Sequence, residues 1–477
     1  MKIHRLFGAG LALALFAGCA TEDVEPPFQP RASHSSYAEA LHQLGIEDST
    51  MGREWLEAAD RAIETPTIVG VPYEEVALFP SDEPRALGYV FAAERGRAIT
   101  IEIDFEADEG AADAYFADLF RIELPRRSDD PDEFELIPVA SRPAGEQRIV
   151  AEPRRDGRYL LRIQPELLRG GQVRISIVAR AALAFPVQDS GPQDIWSFYG
   201  DPRDGGARLH EGVDIFADRG TPLLAASDSV VVRVGVRNRG GNIVTLYDDA
   251  RDLFLYYAHL EQQLVRQGQF VQAGQVIGTM GNTGNAIGTP PHLHIGLYQG
   301  NWGRDVDPWN YFVDPPVVAP RAPRFTERVG TWSRVTEASQ LRVVVPPPRG
   351  RADYVNRNPL LVGAPTRDER SLHPVARNVQ TIAAGEAVHI VGAEPDWLRV
   401  RTVDGREGFV PVALVDAPQS VRVIAEPTRV LHPRRGYLIA RLEPGVQIRP
   451  AGASGSGTVV VLRDGRAGIL ASVGENT

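Results

Sequence analysis

The sequence predicts a mainly β chain that opens with short helices. Three observations lead there. Between residues 85 and 183 apolar and polar residues alternate with a period of two, as in Ala98-Ile99-Thr100-Ile101-Glu102-Ile103-Asp104-Phe105. Four later apolar runs have strand length: Val230 to Val236, Asn242 to Tyr247, Phe254 to His259 and His292 to Leu297. Beyond residue 375, short apolar segments recur around a repeat, Asp404-Gly405-Arg406 matching Asp464-Gly465-Arg466 after 60 residues. The chain has 477 residues, too many for one core; about 100–200 residues per domain implies three or four units.

The first segment reads as an export signal. Lys2 and Arg5 precede an apolar stretch from Leu6 to Phe16, which is too short to span a bilayer. Phe16-Ala17-Gly18-Cys19 resembles the bacterial lipobox, in which cleavage precedes a cysteine that is then diacylated. Cys19 is the only cysteine, so no disulfide is available. Two acyl chains would give stable membrane attachment. Ala20 after the cysteine points, by the same resemblance, to an exported lipoprotein of the cell envelope, in the outer membrane facing the periplasm.

The order along the chain is then as follows. Residues 1–18 are the signal and 19–36 a tether rich in Pro, Ser and charge. Residues 37–84 form a short helical segment, with helices from Tyr37 to Leu44 and Thr50 to Ile63. Trp55, Ala58, Ala59 and Ala62 make one apolar face of the second. Residues 85–183 are expected to form a β-sandwich accessory domain. Residues 184–314 hold the chemistry. A linker and irregular β segment, 315–374, carries Pro315-Pro316 and Pro346-Pro347-Pro348. Hydrophobic residues make up 43%, a globular share. The net charge of -11 argues against a nucleic-acid partner, which would meet a basic face.

Four of the ten histidines fall within residues 210–294. His210-Glu211-Gly212-Val213-Asp214 offers an imidazole and a carboxylate four residues apart, both good ligands for Zn²⁺. Gly212 lets the backbone bend between them. His292-Leu293-His294 places two imidazoles on one strand face. In Tyr256-Tyr257-Ala258-His259 the same alternation puts Tyr257 and His259 together, Tyr257 either adding a hydrogen bond or packing as a strand tyrosine. Gly281 to Pro291 is a glycine-rich loop feeding the His-x-His strand. It lacks the Gly-Lys-Ser/Thr ending of a phosphate cradle.

This set resembles the lysostaphin-type, or LytM-type, zinc metallopeptidase family over residues 195–312. The resemblance implies that His210, Asp214 and His294 hold zinc and that His259 and His292 are catalytic histidines off the metal. His292 would act as general base and His259 as donor to the oxyanion, or the two would exchange or share these roles. The implied reaction is hydrolysis of peptide bonds in peptidoglycan stem peptides or cross-bridges. The fold expected on this basis is an antiparallel β metallopeptidase domain, with the sandwich before it. Residues 375–418 resemble a bacterial SH3-like barrel, and 419–477 a weaker second one. Such barrels would contact the cell wall. Two other classes are compatible with parts of the pattern: a regulator that recruits another hydrolase, and an envelope-anchoring protein. Residues 184–200 are placed to block the cleft.

Overall fold

The computed structural model describes residues 33–108, 110, 114–123, 134–300, 303–342, 380–416 and 420–471. Cys19, the export signal, most of the tether and the Pro346-Pro347-Pro348 segment lie outside these residues. The described chain is mainly β, with few short helices.

Helix α1 (His34–Gln43) begins earlier than its apolar pattern suggests, because Ser33 and Ser36 form a reciprocal cap. Helix α2 (Thr50–Glu64) buries Trp55, Ala58, Ala59 and Ala62. Trp55 Nε1 donates to the Pro165 carbonyl at 2.9 Å, fixing the helix on the sheet below.

Nine strands follow: β1 (Thr67–Ile68), β2 (Tyr73–Phe79), β3 (Leu87–Ala93), β4 (Arg97–Ala107), β5 (Tyr115–Glu123), β6 (Glu135–Ser141), β7 (Arg148–Ala151), β8 (Gly157–Pro165) and β9 (Gly171–Ala181). They form two sheets. One has the order β1-β3-β8-β5-β6; the other contains β2-β9-β4-β7. The alternation in β4 turns Ile99, Ile101, Ile103 and Phe105 into the shared core, where Val173, Ile175 and Ile177 of β9 meet them. Strand β2 lies inside the segment read as helical, 37–84. It shows no period-two signal because both its faces are covered: Ala77 and Phe79 enter one core and Val76 another.

The peptidase-like region supplies strands β10 (Val213–Phe216), β11 (Ser229–Arg237), β12 (Gly241–Asp248), β13 (Leu253–Leu260) and β14 (His292–Gln299). Their order is β10-β14-β13-β12-β11, antiparallel throughout. A short helix α3 (Trp309–Phe312) brings the chain back to its starting point. There Leu183 N donates to the Tyr311 carbonyl at 3.0 Å, and Ala181 N to Asp314 at 2.8 Å.

After this region, β15 (Ala387–Ala393), β16 (Trp397–Thr402) and β17 (Glu407–Pro411) join the N-terminal sheet. The order is β17-β16-β15-β2-β9-β4-β7, with Val76 paired to Ala393. The sequence repeat is a repeated turn. Gly405 lies between β16 and β17, and Gly465 between β18 (Gly457–Val461) and β19 (Ala467–Ala471). Both have left-handed φ, at 91° and 84°. Arg406 and Arg466 each return Nε to the aspartate two residues earlier at 2.8 Å.

A buried charge network sits where β15–β17 join β2. Arg399 grips Glu75 with two hydrogen bonds of 2.6 and 2.7 Å, and the Tyr73 and Tyr89 hydroxyls donate to the same carboxylate. Glu394 is 2% exposed beside them, and its Oε1 has no hydrogen-bond partner among the described residues. Burial first, then the nearby Glu75 charge, push its carboxyl up to about 8. In the unfolded chain it ionises near the ordinary 4.5. Glu394 therefore holds its proton in the folded state across this window, and its own contribution to stability falls as pH rises from about 4.5 to about 8. Thermal melts of the two proteins are expected to show the Tm of Glu394→Gln rising relative to that of the wild type between about pH 5 and about pH 8. Equal pH dependence in both proteins would mean that Glu394 ionises normally.

Candidate metal centre

The site rests on the pairing of β10 with β14. In β10, Val213 and Ile215 enter the core, while Asp214 and Phe216 face a cleft. In β14, Leu293 and Ile295 enter the core, while His292 and His294 face the same cleft. The register sets Asp214 opposite His294 and Phe216 opposite His292. The cleft has a volume of about 860 Å³.

His210 completes a triangle of donor atoms. Its Nε2 is 2.9 Å from His294 Nδ1 and 3.1 Å from Asp214 Oδ1, and His294 Nδ1 is 3.0 Å from Asp214 Oδ1. His210 is nearly buried, and its Nδ1 donates to the Phe198 carbonyl at 2.9 Å, which leaves Nε2 as a lone pair. Burial alone would raise the Asp214 carboxyl. The His210 and His294 imidazoles, each within hydrogen-bond reach of Oδ1, override this and hold it well below the usual carboxylate range. Burial lowers His294. Two imidazoles and a carboxylate turned on one point repel unless protons or a cation sit between them. A tetrahedral Zn²⁺ with bonds of about 2.0–2.1 Å holds its ligands about 3.3 Å apart, close to this triangle. The donor set fits such an ion.

Gly212, between His210 and Asp214, is needed for space. Its φ is not left-handed, so the bend expected there is not the reason for glycine. A Cβ at this position would lie 2.4 Å from the Ile295 carbonyl oxygen and 2.9 Å from the His294 ring.

His259 and His292 stand beside the triangle, their ring centroids 5.0 Å apart. His259 Nδ1 donates to the Thr283 carbonyl at 2.8 Å and His292 Nδ1 to the Pro290 carbonyl at 2.9 Å. The glycine-rich loop thus sets both tautomers and leaves Nε2 free on each ring. Burial, then His294, lower His259 to about 4, so it is neutral at neutral pH.

The expected pairing of Tyr257 with His259 on one face is not found. His259 has φ 68°, a left-handed conformation that is costly for a residue with a Cβ. It breaks the alternation. Tyr257 lies in the core, where its hydroxyl accepts from Ala226 N at 3.0 Å. Tyr256 and Ala258 take the cleft face, and His259 joins them there.

Two further residues escaped the sequence motifs. Arg203 Nη2 donates to Asp214 Oδ2 at 2.9 Å and also to Ser197, so it braces the carboxylate oxygen that the triangle leaves over. Tyr256 lies 6.1 Å from the His294 ring. The register of β13 against β14 points to Tyr256, whereas nothing in the local sequence marks Arg203. Residues 195–197 form an edge strand beside β10, and Trp196 stacks on Phe216, which stacks on His292.

Residues 208–308 match Peptidase family M23. The matched segment takes in His210, Asp214, His259, His292 and His294. Over 126 residues the chain is 39% identical to the L-Ala--D-Glu endopeptidase of Bacillus subtilis, covering 25% of this chain and 38% of that one. A peptidoglycan DD-endopeptidase of Vibrio cholerae, ShyC, is 40% identical over 93 residues, 20% of this chain and 21% of its own. The catalytic domain of lysostaphin from Staphylococcus simulans is 36% identical, with 23% of this chain covering 85% of that structure at a TM-score of 0.22. The chain thus spans well under half the length of these curated relatives. Overpacking at Gly212 offers a test of the β10–β14 geometry. Gly212→Ala is expected to cost about 1–3 kcal/mol in denaturant unfolding, because β10 must move off β14. Unchanged stability would show that the strand contact has slack.

Proposed function

We propose that this protein is a zinc-dependent endopeptidase that hydrolyses peptide bonds in peptidoglycan stem peptides or cross-bridges. The observation that carries this is the triangle of His210 Nε2, Asp214 Oδ1 and His294 Nδ1, with edges of 2.9–3.1 Å. Three protein donors without a thiolate match a catalytic rather than a structural zinc set. When bound, zinc polarises a carbonyl and lowers the pKa of water to about 7. The chain's own residues supply the rest. His292, its Nδ1 committed to Pro290, presents Nε2 as general base. His259, neutral and with Nδ1 committed to Thr283, also presents an Nε2 lone pair and shares the base role; it can donate to the oxyanion only after taking up a proton there. Arg203 keeps Asp214 oriented.

The peptidoglycan substrate is supported by the relatives, an L-Ala--D-Glu endopeptidase and a peptidoglycan DD-endopeptidase. The wider assignment rests on the sequence: acylation at Cys19 would hold the enzyme at the envelope, on the outer membrane facing the periplasm, and the SH3-like segments after residue 375 would contact the wall.

Purified peptidoglycan separates this reading from a purely binding role. Wild-type protein is expected to release cross-link peptides detectable by mass spectrometry, and His292→Ala to be slower by about 10²–10⁴-fold. Wall binding without product from the wild type would refute the enzyme. Elemental analysis tests the metal separately: one zinc per chain in the wild type, and loss of most of it in His294→Ala. Full zinc occupancy in that variant would remove His294 from the ligand set. Arg203→Gln is expected to weaken zinc binding about 10–100-fold in a chelator competition, as loss of an outer partner does.

A further inference from the structure

The cleft is electrically lopsided. At the metal end its arginines are spoken for: Arg203 pairs with Asp214, and Arg208 with Asp204 at 2.6 Å. The cleft is also lined by Arg233 and Arg237 of β11 and by Arg239 in the turn that follows. All three are exposed, and their guanidinium groups have no ion pair or hydrogen bond among the described residues. The chain as a whole is acidic, at -11, so a trio of unneutralised arginines in one cleft runs against the general balance.

The strand registers say how far these arginines are from the metal ligands. His294 is opposite Ala258 across β14 and β13. Tyr256, on the same face, is opposite Thr245 of β12, and Thr245 is opposite Arg233 of β11. Three strand spacings of about 4.8 Å put Arg233 about 14 Å from His294, the length of about four extended residues. Thr245 lines the floor between them. It is fully buried, and its Oγ1 has no hydrogen-bond partner among the described residues. An unmet hydroxyl opposite Arg233, in a cleft that Arg237 and Arg239 also line, offers a donor set for an anion.

We propose that Arg233, Arg237 and Arg239 form a carboxylate subsite, and that the preferred substrate is an acidic peptide with free carboxylates about four residues' span from the scissile bond. This rests on the reading of the cleft as a peptidase site. An uncharged glycine-type bridge would leave the subsite empty. Planar guanidinium groups take a carboxylate two bonds at a time, so the subsite also sets which end of the peptide points to the metal.

The test uses the full chain and two synthetic peptides of one sequence, the second with every carboxylate amidated. Binding is read by fluorescence anisotropy in the His292→Ala background, so that turnover does not intervene. The free acid is expected to bind at least about tenfold tighter than its amidated twin, and added salt to erase most of that preference. Combining Arg233→Gln, Arg237→Gln and Arg239→Gln should bring the ratio near one, with an unchanged Tm showing that the protein is folded. Equal binding of the two peptides, or a preference that survives the triple substitution, overturns the subsite. Cleavage by the wild type separates the two ideas. If neither peptide is cut while the arginine-dependent preference holds, the peptidase reading fails and the subsite stands. If both are cut with equal KM, the subsite fails and the peptidase reading stands.

Discussion

Asp214 and His294 face each other across a single antiparallel ladder, and every other part of the site is arranged around that pair. Side chains on adjacent strands meet only when their residues are directly opposed, with Cβ atoms about 4.5–5.5 Å apart. A slip of one residue would send Asp214 into the core and Val213 into the cleft. The core prevents this. Val213, Ile215, Leu293 and Ile295 are all fully buried on the far side, so the apolar faces lock the register that the polar faces use. Stability and donor geometry are thus two sides of the same four strand positions.

This explains why so much of the site was legible in the sequence. His292 and His294 share a face because strands have a period of two, and Leu293 between them is plainly a core residue. His210 and Asp214 were legible as a pair, and the structure closes their four-residue step through a tight approach at Gly212. The fold class was legible for the same reason wherever one sheet face is wet, as in β4. It was not legible in β2, where both faces are buried and the alternation disappears.

What the alternation could not show was its own interruption. His259 reaches the cleft through a left-handed backbone, and a pattern of residue types carries no record of φ. Nor could it show Arg203, whose partner Asp214 is 11 residues on and meets it only through a folded turn. The cleft arginines were hidden in another way. Arg233 and Arg237 look like ordinary solvent-facing residues of a strand, and only the closing of the sheet around a cleft makes their lack of partners notable.

The contact of Leu183 with Tyr311, and of Ala181 with Asp314, has a consequence for how such a chain is assembled. The metal-site region leaves the surrounding β framework and returns to it within one hydrogen bond's reach. A unit whose two ends touch is a cassette: its host need only offer a surface loop, and no host strand has to shift to receive it. Here β9 before the cassette and β15 after it belong to one continuous sheet, on either side of β2. The host framework therefore closes on itself independently of its guest. Lineages could exchange the guest, or alter its cleft, while keeping the same frame and the same attachment to whatever surface the frame holds.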